Sequence, residues 1–270
     1  MSIMCCVYVP EGIIMAADSR LTRTKPQNAI NLPHKEGEND KVLLVNSTYT
    51  LSDNAQKVLL IKKAGVGVSF CGDAMIDGVT VADFIRRFEI EKVEEGDSAE
   101  TVATKLVDYY TGTNTHFFVC GYKDDVPYVF DVNRGTVERS NVAKKAATTP
   151  TKNDAADNGD VPELGVPENL QTEETDDTEP PVVINGALWA GRMTAITKIV
   201  NNAPSLNADW GTMPLKDAID FAEFLIDTTI KYERFCDEIQ TCGGDIDILV
   251  ITKDEAFWKQ HKIYNPIKKY

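Results

Sequence analysis

The first eighteen residues set the strongest limit on the fold. Ser2-Ile3-Met4-Cys5-Cys6-Val7-Tyr8-Val9 is apolar and β-prone, and Pro10-Glu11-Gly12 makes a turn. Gly12-Ile13-Ile14-Met15-Ala16-Ala17 then runs back as a second buried strand and ends in Asp18-Ser19-Arg20. A strand at the very start of a chain holds the terminal amine at a set place in a sheet. Ser2 is small, so removal of Met1 is expected. One residue would then carry a free α-amine and a hydroxyl, a nucleophile with its own base.

The 270-residue chain can form one large domain or two small ones and can bury a sizeable core. No apolar run approaches the roughly 18–20 residues of a membrane span. The start lacks the basic region and long apolar core of a signal peptide. A cytoplasmic protein without membrane contact is the default expectation. Six cysteines, at 5, 6, 71, 120, 236 and 242, fall mostly in strand-like runs with no Cys-x-x-Cys pair. Free buried thiols are expected, rather than a zinc or redox motif. The three histidines, at 34, 116 and 261, have no ligand spacing, so no metal and no other cofactor is expected. The net charge of −14 is uneven, because residues 151–180 hold ten acids and one base. Nucleic-acid binding is disfavoured, since no basic patch would neutralise phosphates.

Residues 21–54 are mixed and turn-rich around one β-type run, Lys41-Val42-Leu43-Leu44-Val45, and read as an insertion that a hairpin would fit. Strand signals resume at 57–61 and 65–71, the second ending in Gly72-Asp73-Ala74. Val81, Phe84, Ile85 and Phe88 recur at helical spacing. A second helix is expected from Asp97, with Glu100 completing a capping box and Val102, Leu106 and Tyr109 on its apolar face. Residues 116–122 and 126–132 read as a hairpin around Lys123-Asp124-Asp125, followed by a turn and a short strand at 134–138. Residues 141–181 hold almost no large apolar side chains and cannot offset their ordering entropy, so a disordered acidic loop is expected there. A third helix is expected near Gly191, over 194–200. A fourth starts at Met213-Pro214 and reaches about Phe235, with Leu215, Ala218, Ile219, Ala222, Leu225 and Ile226 as its stripe. Cys242-Gly243-Gly244-Asp245-Ile246-Asp247 leads into a last strand, and the C-terminal tail carries no readable signal. Paired helices around antiparallel strands imply an α+β fold, a four-layer α-β-β-α sandwich spanning 1–270 as a single domain.

The stretch from Gly12 to Arg20 resembles the second strand of proteasome β subunits. These are ring-forming N-terminal-nucleophile hydrolases, related to bacterial peptidase rings and to Anbu-type bacterial homologues. In that family the nucleophile lies sixteen positions before the aspartate of this strand. Sixteen before Asp18 is Ser2, with no gap needed. Gly72-Asp73-Ala74, the hairpin at 116–132 and the Gly243-Gly244-Asp245-Ile246-Asp247 loop resemble the family too. The likeness covers most of the chain outside 21–54 and 141–181.

The resemblance implies an N-terminal-serine peptidase or amidohydrolase acting through an acyl-enzyme. Ser2 Oγ attacks and its own α-amine, with an ordinary pKa of about 7.7–8.0, is the base. Asp18 partners a lysine that lowers the amine's affinity for a proton. Lys57 is the best match for that lysine, with Lys41 as its rival. The Ser69 N–H is expected to hold the oxyanion, from a position where the family has glycine. Thr22, Ser69 and Cys71 would line a groove that takes an extended peptide, with Arg20 and Cys242 in support. A homo-oligomeric ring, a peptide or protein substrate and an ATP-dependent unfoldase as partner also follow from the likeness. Ser2 replaces the family's threonine, as in Anbu-type relatives. Ala190 stands where a serine precedes Gly191, Cys242 stands for a supporting serine, and Ile239 falls where an aspartate is expected, beside Asp237 and Glu238. Those departures favour a second reading, a weak or silent ring subunit or scaffold with 141–181 as its contact loop. A third reading is an amidase for a small metabolite, which a closed pocket would favour.

Overall fold

The structure is a computed structural model that describes residues 2–26, 30–31, 42–43, 46–110, 114–143, 181–202 and 208–262. The chain opens with β1 (Ile3–Val9), β2 (Gly12–Ala17), β3 (Leu21–Pro26), β4 (Ile30–Asn31), β5 (Val42–Leu43) and β6 (Asn46–Ser52). Next come β7 (Val58–Ile61), β8 (Val66–Cys71), β9 (Met75–Ile76) and β10 (Val79–Thr80), then α1 (Val81–Lys92) and α2 (Ala99–Tyr109). The second half holds β11 (His116–Lys123), β12 (Val126–Asn133), β13 (Thr136–Arg139), β14 (Gly186–Gly191), α3 (Thr194–Asn202), α4 (Leu215–Arg234), β15 (Asp247–Ile251) and β16 (Ala256–Gln260).

Two five-stranded sheets carry the fold, ordered β14-β1-β2-β15-β16 and β13-β12-β11-β8-β7, and every pairing is antiparallel. The architecture is therefore mixed α+β. Every residue of β1 and β2 is buried, because both faces of these strands are covered. Ile3, Cys5, Val7 and Val9 meet Ala218, Ala222, Leu225 and Ile226 of α4 in one apolar cluster. Met4, Cys6 and Tyr8 point the other way, to Val58, Phe118, Cys120 and Val129 of the second sheet. The far face of that sheet, with Val68, Phe117 and Val119, meets Phe84, Ile85 and Phe88 of α1 and Val102 and Leu106 of α2. A fully buried side chain of this size contributes roughly 1.5–3 kcal/mol relative to exposure. The unbroken apolar run at the start of the chain thus forms a strand pair clad on both sides.

Local signals explain the connections. Asp124 and Asp125 both have positive φ, 52° and 62°, as a two-residue type I′ hairpin turn between β11 and β12 requires. The expected stripes of α1 and α4 face inward, apart from a half-buried Leu215. The second helix begins one residue later than the sequence suggests. Ser98, not Asp97, caps it by accepting the Thr101 N–H, while Asp97 accepts the Glu94 N–H and pairs with Lys105. Within 21–54, β3 pairs with β6 and β4 with β5. The strands β14 and β16 were not expected from the sequence. Most of the 141–181 segment lies outside the described residues; at its edges Val142 bridges Val183, and the Ile184 N–H donates to the Asn141 carbonyl at 3.0 Å. All six cysteines are free, five of them buried. Among the described residues no helix is long and apolar enough to cross a membrane.

Candidate active site

The β1–β2 hairpin brings Asp18 back beside the start of the chain. Met4 pairs with Ala17, and the next step of the ladder is completed by a side chain. The Asp18 N–H donates to the Ile3 carbonyl at 3.3 Å, and the Ile3 N–H donates to Asp18 Oδ1 at 3.1 Å. The same oxygen accepts Lys57 Nζ at 2.7 Å, from the residue just before β7. Asp18 Oδ2 accepts the N–H groups of Arg20 at 3.1 Å and Gly243 at 2.9 Å. Asp18 is fully buried and the Lys57 side chain is 2% exposed. A buried ion pair is tolerable only when its remaining hydrogen-bonding capacity is met, and three amides meet it here.

Ser2 is held from the other side by the end of β14. Its carbonyl accepts the Arg192 N–H at 2.8 Å. Gly191 packs so closely that a Cβ on it would stand 1.9 Å from the Ser2 oxygen, and its φ of +101° also calls for glycine. Ser2 and Lys57 line one cavity of about 330 Å³, whose other walls include Thr22, Asn54, Phe70 and Gly72. Arg86 and the first turn of α1 also line it.

Arg20 braces the loops around this cavity. Its Nε and Nη2 donate to the two oxygens of Asp53 at 2.6 and 3.1 Å, a bidentate pair. That pairing holds the Asp53 carboxyl below its usual range. The guanidinium lies against Gly243, where a Cβ would come within 2.7 Å of Cζ. Gly244, at φ +74°, touches the Asp53 carbonyl in the same manner. The paired glycines are thus explained by the close approach of two loops.

The structure brings Ser2, Asp18, Lys57, Arg20 and Thr22 together, and leaves two expected residues aside. Ser69 and Cys71 do not line the cavity; Phe70 and Gly72 do. Ser69 is ladder-paired on both sides, with Phe118 and Val58, and its hydroxyl turns inward to Met4 Sδ at 3.5 Å. Cys71 sits in the layer between the sheets, and burial pushes its thiol up to about 12 although the Lys57 charge pulls it down. Side chains alternate along a strand, so a one-residue difference in parity selects the opposite face. Lys41 and Met1 lie outside the described residues.

Cys242 is fully buried beside Asp18, and burial pushes its thiol well up, with Asp18 and Glu233 adding to the effect. Glu233, on the last turn of α4, was not expected from the sequence. Its carboxylate accepts the N–H groups of Thr241 and Cys242 at 2.8 and 2.7 Å, Thr241 Oγ1 at 2.9 Å and Arg192 Nε at 2.9 Å. It clamps the loop that an aspartate near 239 was expected to hold, while Ile239 is exposed and Glu238 pairs with Arg192. The available signal was helical phase: Leu225, Ile226, Thr229 and Glu233 continue one buried stripe, and an acid on such a stripe needs partners.

No protein-family model matches the sequence, and no curated protein matches it. Among solved structures, a mutant of Anbu from Hyphomicrobium sp. strain MC1 matches with a TM-score of 0.54 and 14% identity, covering 100% of this chain and 90% of that one. At that identity the likeness is one of fold, and it places the chain at a distance from Anbu.

Proposed function

We propose that this protein is an N-terminal-serine hydrolase of the proteasome β type that cleaves peptide bonds through an acyl-enzyme. One observation carries the reading. Asp18 is hydrogen-bonded at once to Lys57 and to the Ile3 amide, and Ser2 and Lys57 line one cavity. With Met1 removed, Ser2 Oγ attacks the scissile carbonyl carbon while its α-amine takes the hydroxyl proton. That proton passes to the leaving nitrogen as the C–N bond breaks, which leaves an ester on Ser2. The amine then activates a water, the ester C–O bond breaks, and the acid product departs. The Lys57 ammonium, held by Asp18, repels a proton on the neighbouring amine and so keeps more of it in the basic form.

The three stacked apolar clusters support reading the fold as a four-layer α-β-β-α sandwich in a single domain, with 21–54 inserted. Self-association into a ring, an ATP-dependent unfoldase as partner and a cytoplasmic location belong to the same proposal.

Intact mass of the purified protein, before and after a peptide epoxyketone, tests the proposal. That warhead needs the hydroxyl and the free α-amine of one residue. Loss of Met1 and a single adduct that disappears in Ser2→Ala is the expected result. A retained Met1, or a processed chain that takes neither this warhead nor a compact amide-mimetic one, would transfer the case to the silent-subunit reading. A small-amide enzyme would take a compact amide-mimetic warhead and refuse the peptide one.

A further inference from the structure

The segment after β16 turns inward. The Lys262 side chain is 6% exposed and its partner Asp247 is 1% exposed. Asp247 opens β15 and pairs with Ala17, the residue before Asp18. Its Oδ1 accepts the Lys262 N–H at 3.2 Å and lies 3.1 Å from His261 Nδ1; its Oδ2 accepts Lys262 Nζ. The same ammonium donates to Ser19 Oγ, which itself donates to the Asp245 carbonyl. Ser19 is a junction. Its N–H donates to the Gly243 carbonyl at 2.8 Å, and its carbonyl accepts the Ala55 N–H at 2.9 Å. The Gly243 N–H is itself a donor to Asp18, and Ala55 stands two residues before Lys57.

We infer that Lys262 is a positioning residue for the Ser2 site, setting the Asp18–Lys57 geometry through Ser19 and Asp247. The inference rests on the reading of Ser2 as nucleophile. A lysine is an unfavourable residue for merely filling this space. Burial pushes its ammonium towards the neutral form, and the like charge of Lys57 does the same, against the pull of Asp247 and Asp18. An apolar side chain would avoid that penalty but leave the buried Asp247 carboxylate without its ammonium partner. What an apolar side chain cannot do is donate to Ser19 and Asp247 together. Those two contacts fix the turn that carries Asp18 on one side and leads to Lys57 on the other. Reaction rates respond steeply to small displacements of such groups.

Saturation labelling of the full chain with the peptide epoxyketone, read by intact mass, tests this in wild type, Lys262→Met and Ser19→Ala. The maximal labelling rate is expected to fall by about tenfold or more in both variants. The half-saturating concentration should stay within about twofold, because the cavity walls are untouched. Variants that label at the wild-type maximal rate, or that change only the half-saturating concentration, overturn the positioning role. A wild type that takes neither the peptide epoxyketone nor a compact amide-mimetic warhead overturns the Ser2 reading and this one with it. Should Lys262→Met fail to fold, Ser19→Ala, which removes one oxygen atom, carries the comparison alone.

Discussion

Two carboxylates, Asp18 and Glu233, grip successive residues of one loop. The Gly243 N–H donates to Asp18 and the Cys242 N–H donates to Glu233. Each acid is buried, each takes backbone amides, and each has one cationic partner, Lys57 for Asp18 and Arg192 for Glu233. They differ in what lies beyond the partner. Lys57 lines the cavity with Ser2, whereas Arg192 continues to Glu238 at the surface. A buried acid with amide donors is therefore a loop clamp in both places. Proximity to Ser2, the proposed nucleophile, and not burial makes one of them a candidate for chemistry.

The sharpest way to break this comparison is Lys57→Met. It leaves the Asp18 charge buried with three amides and no counter-ion, and should lower stability by about 3–5 kcal/mol in urea melts. Adding Asp18→Asn removes the unpaired charge but sets an amide nitrogen against backbone N–H donors, so it should return only part of that stability and none of the epoxyketone labelling. A double variant that labels would place the chemistry elsewhere. Glu233→Gln is the matched change on the other side. It weakens charge-assisted bonds to Thr241, Cys242 and Arg192, and should lower stability by about 1.5–3 kcal/mol. Labelling of Ser2 should fall far less than in Lys57→Met. Equal losses of labelling in the two variants would erase the distinction.

The two centres meet at Gly191 and Arg192. The Arg192 N–H holds the Ser2 carbonyl and its side chain holds Glu233. Gly191→Ala puts a Cβ against the Ser2 oxygen at a φ that side chains avoid, and should cost about 1–3 kcal/mol. Labelling should slow as well, since the clash falls on Ser2 itself. A stable variant that labels normally would mean that the start of the chain can move without consequence.

The Asp18 centre was legible through the family resemblance. The resemblance supplies the sixteen-residue register that an ungapped hairpin lets one count from Ser2 to Asp18, and it prefers Lys57 to Lys41, which also heads an apolar run. The α1 and α4 stripes follow from periodicity alone. The Glu233 centre was not legible, because an acid between Lys231 and Arg234 at a helix end reads as solvated until helical phase is traced back to Ile226. Lys262 was hidden for a related reason. Nothing in the sequence sets it opposite Asp247 until β16 has been recognised, and Ala256-Phe257-Trp258-Lys259-Gln260 gives only a weak strand pattern. β14 was missed because glycine and alanine dominate its ends. Ser69 and Cys71 were assigned to the cavity from motif position, whereas strand parity assigns the wall to Phe70 and Gly72.

The smallest effect separates the surface brace from both buried centres. Arg20 lies against Gly243 in the shared loop, and its partner Asp53 is nearly half exposed. Hydrogen bonding to Arg20 depresses the Asp53 pKa, with the nearby charges of Arg20 and Lys57 adding to the shift against burial. A carboxyl with a depressed folded-state pKa contributes stability above its unfolded value, about 3.9, and loses it as pH falls through the lower folded value. The difference in urea midpoint between wild type and Asp53→Asn should thus be constant above about pH 5 and shrink as pH falls through the lowered folded value. Its size should be well under about 1 kcal/mol, because solvent screens an exposed pair. A difference that does not shrink on acidification would mean that the Asp53 side chain acts through the shape of its bidentate contact with Arg20 rather than through its charge. The loop would then depend on hydrogen-bond geometry at the surface and on charge only at its two buried ends.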